Sequence, residues 1–319
     1  MAPIITVVIP THRPDKLDRL LDSIRDTDYP KNNLEVLVVE GNNPSKQRND
    51  AIRISNGDIV YFLDDDVTIE RDLFRRAAEY YTDDSVTGVG GPNINPTTSS
   101  YLQKCFSYIM ESFFGSATMR YRYRPIKPIS KASEKHLILC NLSIRKNVLE
   151  KENAFNESLY PNEENELIDR LTFRGYRFVY DPEVRVYHER RNTIRKFSQQ
   201  IFNHGRGRMG QILIQNSPIS LLFFLPSLFT LYLLYVPFSH NTLYLIPLVV
   251  YIIADLVSSI SIAIAKKDLK LILILPLLYP IEHISYSMGF IWGFFRKILH
   301  LRKDKEIVVK ITKIDLSKV

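Results

Sequence analysis

The sequence predicts an α/β domain with a mostly parallel, doubly wound sheet, followed by an interfacial amphipathic helix and α-helical membrane segments. Three observations carry this expectation. Strand and helix patterns alternate through the first third of the chain. One of those strands, Ile59-Val60-Tyr61-Phe62-Leu63, runs straight into Asp64-Asp65-Asp66. The last third holds three apolar stretches, about Ile219–Phe238, Leu243–Ala265 and Leu269–Phe295. Each meets or exceeds the ~20 residues that a helix needs to cross a bilayer.

Ile4 to Ile9 is a continuous, β-branched apolar run, the pattern of a strand buried on both faces, and Pro10-Thr11-His12-Arg13-Pro14 stops it. Asp15 is placed to cap the next helix, in which Leu17, Leu20, Leu21 and Ile24 recur at helical spacing. Leu34 to Val39 is a second strand ending in Glu40-Gly41-Asn42-Asn43-Pro44, and Lys46 to Ile54 a second helix. The aspartate strand comes third. That order makes a parallel sheet, whose carboxyl ends are where such sheets bind ligands. Three carboxylates repel one another there unless a cation sits among them. Aspartate suits Mg²⁺ and Mn²⁺, whose shells phosphate oxygens complete, so the triplet points to a metal–phosphate site over an acidic surface turn.

Further on, the spacing predicts a helix over Asp72–Tyr81, a short strand near Val86–Pro92 and a strand over Leu137–Arg145. A helix through Leu167, Ile168, Leu171 and Thr172 follows, then strands at Gly175–Pro182 and Val184–His188 that complete the sheet. Glu163, Glu164 and Glu166 fall in the first turn of that helix, where the macrodipole favours acids. Arg120-Tyr121-Arg122-Tyr123-Arg124, with Lys127 and Lys131, fits two readings: a solvated or lipid-facing loop, or a phosphate or acceptor contact.

Lys and Arg number 42 against 35 Asp and Glu, an excess of seven. Beside apolar spans, that basicity points to anionic lipid headgroups and not to nucleic acid. Two cysteines, Cys105 and Cys140, make no disulfide framework and no Cys/His metal spacing. Neither a G-x-G-x-x-G nor a G-x-x-x-x-G-K-S/T run is present, which argues against a dinucleotide fold and a P-loop. Ile4 to Ile9 is too short and lacks the basic lead-in of a secretory signal, so the N-terminal domain is expected in the cytosol.

An ordered series of motifs over roughly residues 4 to 210 resembles the inverting glycosyltransferases of family 2, with their GT-A fold. The series is Val8-Ile9-Pro10-Thr11, Val38-Val39-Glu40, Gln47-Arg48-Asn49, Phe62-Leu63-Asp64-Asp65-Asp66, Phe155-Asn156-Glu157, Glu163-Glu164-Asn165-Glu166-Leu167 and Gly175-Tyr176 through Tyr187-His188. The resemblance implies a Rossmann-like domain and a nucleotide-sugar site of Pro10, Thr11, Arg13, Glu40, Arg48, Asp64, Asp65 and Arg206. Glu40 takes the position that accepts from the nucleobase. Asp64 and Asp66, joined by His188, take the positions that hold Mn²⁺ or Mg²⁺ against the diphosphate. For His188 a purely structural role at a strand end is the other reading. Glu164 takes the position of the catalytic base, with Glu163 as its fallback. The family usually has Asp-Asp at Glu40-Gly41 and a Glu-Asp pair at Glu163-Glu164. The Gln-x-x-Arg-Trp motif of processive, cellulose-synthase-like members is replaced here by Gln200-Ile201-Phe202-Asn203-His204, which argues against polymerisation.

The chain is divided into a catalytic domain (1–190), an amphipathic interface region (191–217), a membrane domain of about three helices (218–296) and a basic tail (297–319). Lys266, Lys267 and Lys270 put the loop between the second and third spans on the cytosolic side. Three crossings then place Arg296, Lys297, Arg302, Lys303 and Lys305 outside; a re-entrant third segment is the alternative. Ser285, Gly289 and Gly293, four residues apart, offer a close-packing face. Asp255 and His283 are expected to pair, either beside a groove for a lipid-borne acceptor or as interhelical glue. The combined expectation is a multi-pass membrane transferase whose catalytic domain faces the cytosol. It moves a sugar, mannose from GDP-mannose first and a UDP-sugar second, to a dolichyl- or polyprenyl-phosphate-linked acceptor. The rivals are a transferase making a polyprenyl-phosphate sugar or exopolysaccharide, and an inactive nucleotide-sugar-binding scaffold.

Overall fold

The computed structural model describes residues 2–215, 217–299 and 308–316; Arg302, Lys303 and Lys305 of the basic tail lie outside the described residues. The first half runs β1 (Ile5–Thr11), α1 (Asp18–Arg25), β2 (Leu34–Gly41), α2 (Pro44–Ile54), β3 (Ile59–Leu63), β4 (Val67–Ile69), α3 (Leu73–Glu79), β5 (Val86–Gly90) and β6 (Asn93–Ile94). Then come α4 (Tyr101–Met110), α5 (Phe113–Ser116), β7 (Ile129–Ala132), β8 (Asn141–Arg145), α6 (Lys146–Lys151), α7 (Glu163–Phe173), β9 (Arg177–Tyr180) and β10 (Val186–His188). The chain continues through α8 (Ile194–Ile212), α9 (Leu225–Tyr235), α10 (Ile246–Lys266), α11 (Leu271–Ile298) and β11 (Val309–Ile314).

Eight strands form one sheet in the order β11-β2-β1-β3-β8-β5-β9-β7. The strand–helix alternation is reproduced where it was clearest, since β1 lies parallel to both β2 and β3. Beyond β3 the sheet is mixed. β8 runs antiparallel between β3 and β5, because it arrives from a long excursion and not from a crossover helix. The strand expected over Leu137–Arg145 is confined to Asn141–Arg145; Leu137 and Leu139 are buried ahead of it without strand pairing. β10 does not complete the main sheet but joins β4 and β6 in a second, three-stranded one. Asp15 caps nothing, as a short 3-10 turn over Pro14–Lys16 intervenes before α1.

The apolar residues of the central strands divide between two cores. Val7, Ile9, Tyr61 and Leu63 face one, and Val8, Val60 and Phe62 the other, as the two-residue period of a strand requires. A third core joins α4, α8 and α11 through Phe106, Phe197, Leu275 and Tyr279. The stretches Leu221–Phe238, Thr242–Lys266 and Leu271–Ile298 are each long and apolar enough to span a membrane. The Gly289–Gly293 face packs closely, as its spacing predicts, against α8. A Cβ on Gly289 would lie 1.9 Å from the Phe202 carbonyl oxygen. Asp255 and His283 do not pair. His283 meets the Tyr251 hydroxyl at 2.9 Å and the Phe114 carbonyl oxygen at 3.0 Å, while Asp255 accepts from Ser259.

Candidate active site

Three strand ends and two helix starts converge on one cleft. β1 ends at Pro10 and Thr11, β2 at Glu40 and β3 at the Asp64-Asp65-Asp66 turn, which leads into β4. Parallel pairing sets Thr11 beside Glu40. The Thr11 hydroxyl donates to Asp65 at 2.5 Å and accepts from the Arg13 amide at 2.9 Å, pinning the loop after β1 onto the aspartate turn. β11 adds a wall that sequence reading assigned to the outside, with Lys310 in register with Glu40.

α2 ties the strand ends to the rest of the site. Asn43 caps it, accepting from the Lys46 amide at 3.1 Å. Its three consecutive polar residues Gln47, Arg48 and Asn49 are all buried, and each binds a different wall. Gln47 donates to the Val39 and Thr11 carbonyls, holding β1 and β2 together. Asn49 donates to the Phe155 carbonyl at 2.9 Å and to Glu157 at 3.0 Å, which explains why those two motifs occur in one chain. Arg48 bridges the cleft, 3.3 Å from Asp64 and 2.9 Å from Glu163.

On the strand side, the His188 imidazole at the end of β10 comes within 3.1 Å of Asp66, with Arg191 at 3.8 Å. Burial pushes the Asp66 carboxyl up, but His188 and Arg191 outweigh it and hold its pKa at about 2. The other ring nitrogen of His188 meets the Asn93 side-chain amide at 3.1 Å, which fixes the ring. His188 Nε2 is buried and, though close to Asp66, has no partner in hydrogen-bonding geometry. A buried imidazole nitrogen left orphaned 3.1 Å from a carboxylate is a donor set that suits a divalent cation. Among the described residues no three such groups gather closely enough to complete a cage alone. Mg²⁺ and Mn²⁺ sites commonly draw further ligands from phosphate oxygens and water.

On the helix side, Asn162 in the left-handed region (φ 80°), a conformation asparagine tolerates, leads into α7. Glu163 turns inward to Arg48; burial outweighs the guanidinium and raises its pKa to about 7. Glu164, one residue on, opens instead onto a cavity of about 480 Å³. Arg122 stands 3.8 Å from Glu164 and is itself held by the Glu134 carbonyl and the Asn165 side chain. The basic, aromatic stretch divides between its two readings: Arg122 and Tyr123 are buried, whereas Arg124, Lys127 and Lys131 are exposed. From α8, Arg208 is fixed 2.8 Å from Glu134, and His204 lines the cavity with its pKa driven down to about 4 by burial. The far walls of the cavity are apolar and come from α5, α9, α10 and α11. Arg206 lies apart from this cavity, toward Tyr160, whose surroundings include Glu163, Arg48 and Asp64.

The two sides belong to one site. Arg48 touches both of them, Asp64 at 3.3 Å on the strand side and Glu163 at 2.9 Å on the helix side. Sequence reading flagged Arg122 within its basic stretch but assigned no role in the site to Glu134, His204 or Tyr160, which reach the cleft from segments without a recognisable motif.

Residues 2–210 match the family described as Glycosyltransferase like family 2. A dolichyl N-acetyl-alpha-D-glucosaminyl phosphate 3-beta-D-2,3-diacetamido-2,3-dideoxy-beta-D-glucuronosyltransferase of Methanococcus voltae is 21% identical over 340 residues, covering 92% of this chain and 97% of that one. Among solved structures, the mannosyltransferase PcManGT from Pyrobaculum calidifontis, in complex with GDP-Man and Mn²⁺, is similar at a TM-score of 0.58 and 16% identity. That likeness covers 93% of this chain and 88% of the other, and it is one of fold. With its motifs in order, its strand ends gathered on one cleft and its helices beside it, the chain belongs to glycosyltransferase family 2 and carries a GT-A catalytic domain.

Proposed function

We propose that the protein is a metal-dependent, inverting hexosyltransferase. It moves a sugar, mannose from GDP-mannose in the first instance, to a hydroxyl of a dolichyl- or polyprenyl-phosphate-linked glycan at the cytosolic face of the membrane. One observation carries the reading: Glu164 opens onto a cavity walled by the catalytic domain on one side and apolar membrane helices on the other. A base in that position serves an acceptor with a polar head and a lipid tail. The Methanococcus voltae relative is named for a dolichyl-phosphate-linked acceptor, and the Pyrobaculum structure holds GDP-Man and Mn²⁺, which supports both halves of the reading.

Asp66 and His188, with Asp64 beside them, are the residues that would hold Mn²⁺ or Mg²⁺. When bound, such an ion supplies Lewis-acid neutralisation of the diphosphate leaving group. Thr11, Arg13 and Asp65 shape the donor loop, Glu40 faces the base, and Arg48 and Arg206 lie along the diphosphate. A sugar hydroxyl is too weak an acid to attack unaided. Glu164 takes its proton as the acceptor oxygen bonds to the anomeric carbon and the bond to the diphosphate oxygen breaks. A single displacement inverts that carbon. Arg122, His204 and Arg208 frame the acceptor's polar head. His204, neutral near pH 7, adds no charge there.

Purified protein in lipid discs, given a panel of GDP- and UDP-sugars with Mn²⁺ or Mg²⁺ and a polyprenyl-linked glycan extract, tests this. Transfer of label from GDP-mannose into a lipid-extractable product, abolished by chelation, is expected. Nucleoside diphosphate binding that ignores chelation, together with no lipid product from any donor, overturns it.

A further inference from the structure

Both ends of α11 are held on the catalytic-domain side of the molecule. Ahead of its first turn, Asp268 accepts from the Tyr101 hydroxyl of α4 at 2.8 Å. Lys266 stands 4.6 Å over the Tyr108 ring and 3.9 Å from Glu111. Beyond its last turn, β11 runs antiparallel along β2, and Lys313 of that strand binds Glu35 at 2.7 Å.

Between those ends α11 follows α8. Leu271 and Leu275 share a core with Phe197 and Ile201. Further along, a Cβ on Gly289 would meet the Phe202 carbonyl, and one on Gly293 would lie 2.8 Å from the Arg206 carbonyl. The two helices therefore run side by side in one direction. The opposite face of α8 is fixed to the catalytic domain, through Arg208 on Glu134 and Gly207 against the Pro161 carbonyl. A helix lying flat along the underside of the domain does not leave it for the far side of a bilayer.

The length of α11 permits a crossing, since its 28 residues make about 42 Å of helix against a hydrocarbon core of about 30 Å. Backbone pairing forbids one. A strand joins a sheet only on its own side of the bilayer. After an odd number of crossings the chain would have to return through lipid with Arg302, Lys303, Asp304, Lys305 and Glu306 in the connecting segment. The exposed residues of α11 tell the same story. Leu273, Leu277, Ile284, Met288, Trp292 and Phe295 form one apolar stripe along its length, while the other face is buried on protein. A helix with one face on a soluble domain and an apolar stripe on the other belongs in the interfacial plane.

We propose that α11, despite its length, lies in the plane of the membrane surface with its stripe among the acyl chains of the leaflet next to the catalytic domain. The α9–α10 hairpin alone, among the described helices, then enters the bilayer to cross and return, and β11 ends on the same side as β1. This placement is independent of which sugar or acceptor the enzyme uses.

Two measurements on the full chain test it. Epitopes fused ahead of Met1 and after Val319, in sealed vesicles of each orientation, are challenged with protease with and without detergent. Loss of both from the same vesicle population is expected; protection of the second where the first is digested overturns the proposal. The chain has a single tryptophan, Trp292. Quenching by brominated lipids is compared for it and for Leu273→Trp and Ile284→Trp in a Trp292→Phe background, all at exposed positions. Equal, shallow depths at the three sites are expected. A depth that is greatest at position 284 overturns the in-plane placement even if both epitopes share a side.

Discussion

The two sides of the cleft share Arg48 but expose their carboxylates differently. On the strand side Asp64 and Asp66 stand where β3 ends, with side chains 38% exposed; burial pushes the Asp64 carboxyl up despite Arg48, while His188 and Arg191 hold the Asp66 pKa at about 2. On the helix side Glu163 is sealed under Arg48 with its pKa raised to about 7, while Glu164 opens onto the cavity. Adjacent residues of a helix point about 100° apart, so one residue of register separates a buried glutamate from an accessible one. The difference teaches how the labour divides. On the proposed reading, the strand side presents accessible acids to a cation and diphosphate. The helix side uses Glu163 to hold the cleft together and, on the same reading, leaves Glu164 to take a proton.

The sharpest way to break that division is to remove each glutamate's charge in turn. Glu164→Gln is expected to lower transfer 10²- to 10⁴-fold, the usual worth of a positioned base, with nucleotide binding retained. Glu163→Gln should remain at least about tenfold more active than Glu164→Gln, because the base is worth two or more decades and Glu163 does not face the cavity. Equal losses in a radiolabel transfer assay would erase the distinction between them.

A second test addresses the bridge. Arg48→Met leaves Glu163 buried and unpaired, a change that costs about 3–5 kcal/mol. Arg48→Met with Glu163→Met should recover most of that stability in denaturant unfolding, though not activity. If the double variant is as unstable as the single one, Arg48 supports the cleft through Asp64 and not through Glu163.

The third compares polar bridging in the cleft with contact packing beneath it. Gly289→Val forces a side chain against the Phe202 carbonyl and is expected to destabilise the protein by about 1–3 kcal/mol, read as a lower unfolding midpoint in detergent. An unchanged midpoint would mean that α8 and α11 are not packed as described.

The smallest effect concerns the sheet edge behind the strand side. Glu35 accepts from Thr6, the Asn56 amide and Lys313, and although burial opposes it, its pKa falls to about 2. A carboxylate depressed in this way stabilises the fold fully above its unfolded value of about 4.3 and loses that contribution as pH falls through its folded value. Stability of the native chain should therefore drop between about pH 4.3 and 2 more steeply than that of Glu35→Gln, followed by proteolysis at β11. Parallel curves would show that the contacts to Asn56 and Lys313 contribute nothing at this edge.

Local signals were legible and distant ones were not. The first three strands, α2 and the apolar spans announce themselves because period and composition are properties of a short window. β8 does not, because its direction depends on where the chain returns from. Ser100, three residues ahead of Gln103, forms the capping box of α4, a start signal that sequence reading passed over. Val309 to Ile314 alternates apolar and polar residues as an edge strand does, yet its charge made it look like a tail. In the site, the strand-end acids were readable from their own context. Glu134 with Arg208, and Arg122 beside Glu164, pair residues dozens of positions apart, and nothing local says which partner each meets.

Because β11 is made after every helix that enters the bilayer, the outermost edge of the catalytic sheet stays open throughout translation. Domains fold from their N-terminal ends as they emerge, so β2 waits with unpaired amides until the helices are seated. On the proposed placement, closing that edge next to Glu40 makes completion of the catalytic sheet depend on a correctly threaded membrane anchor.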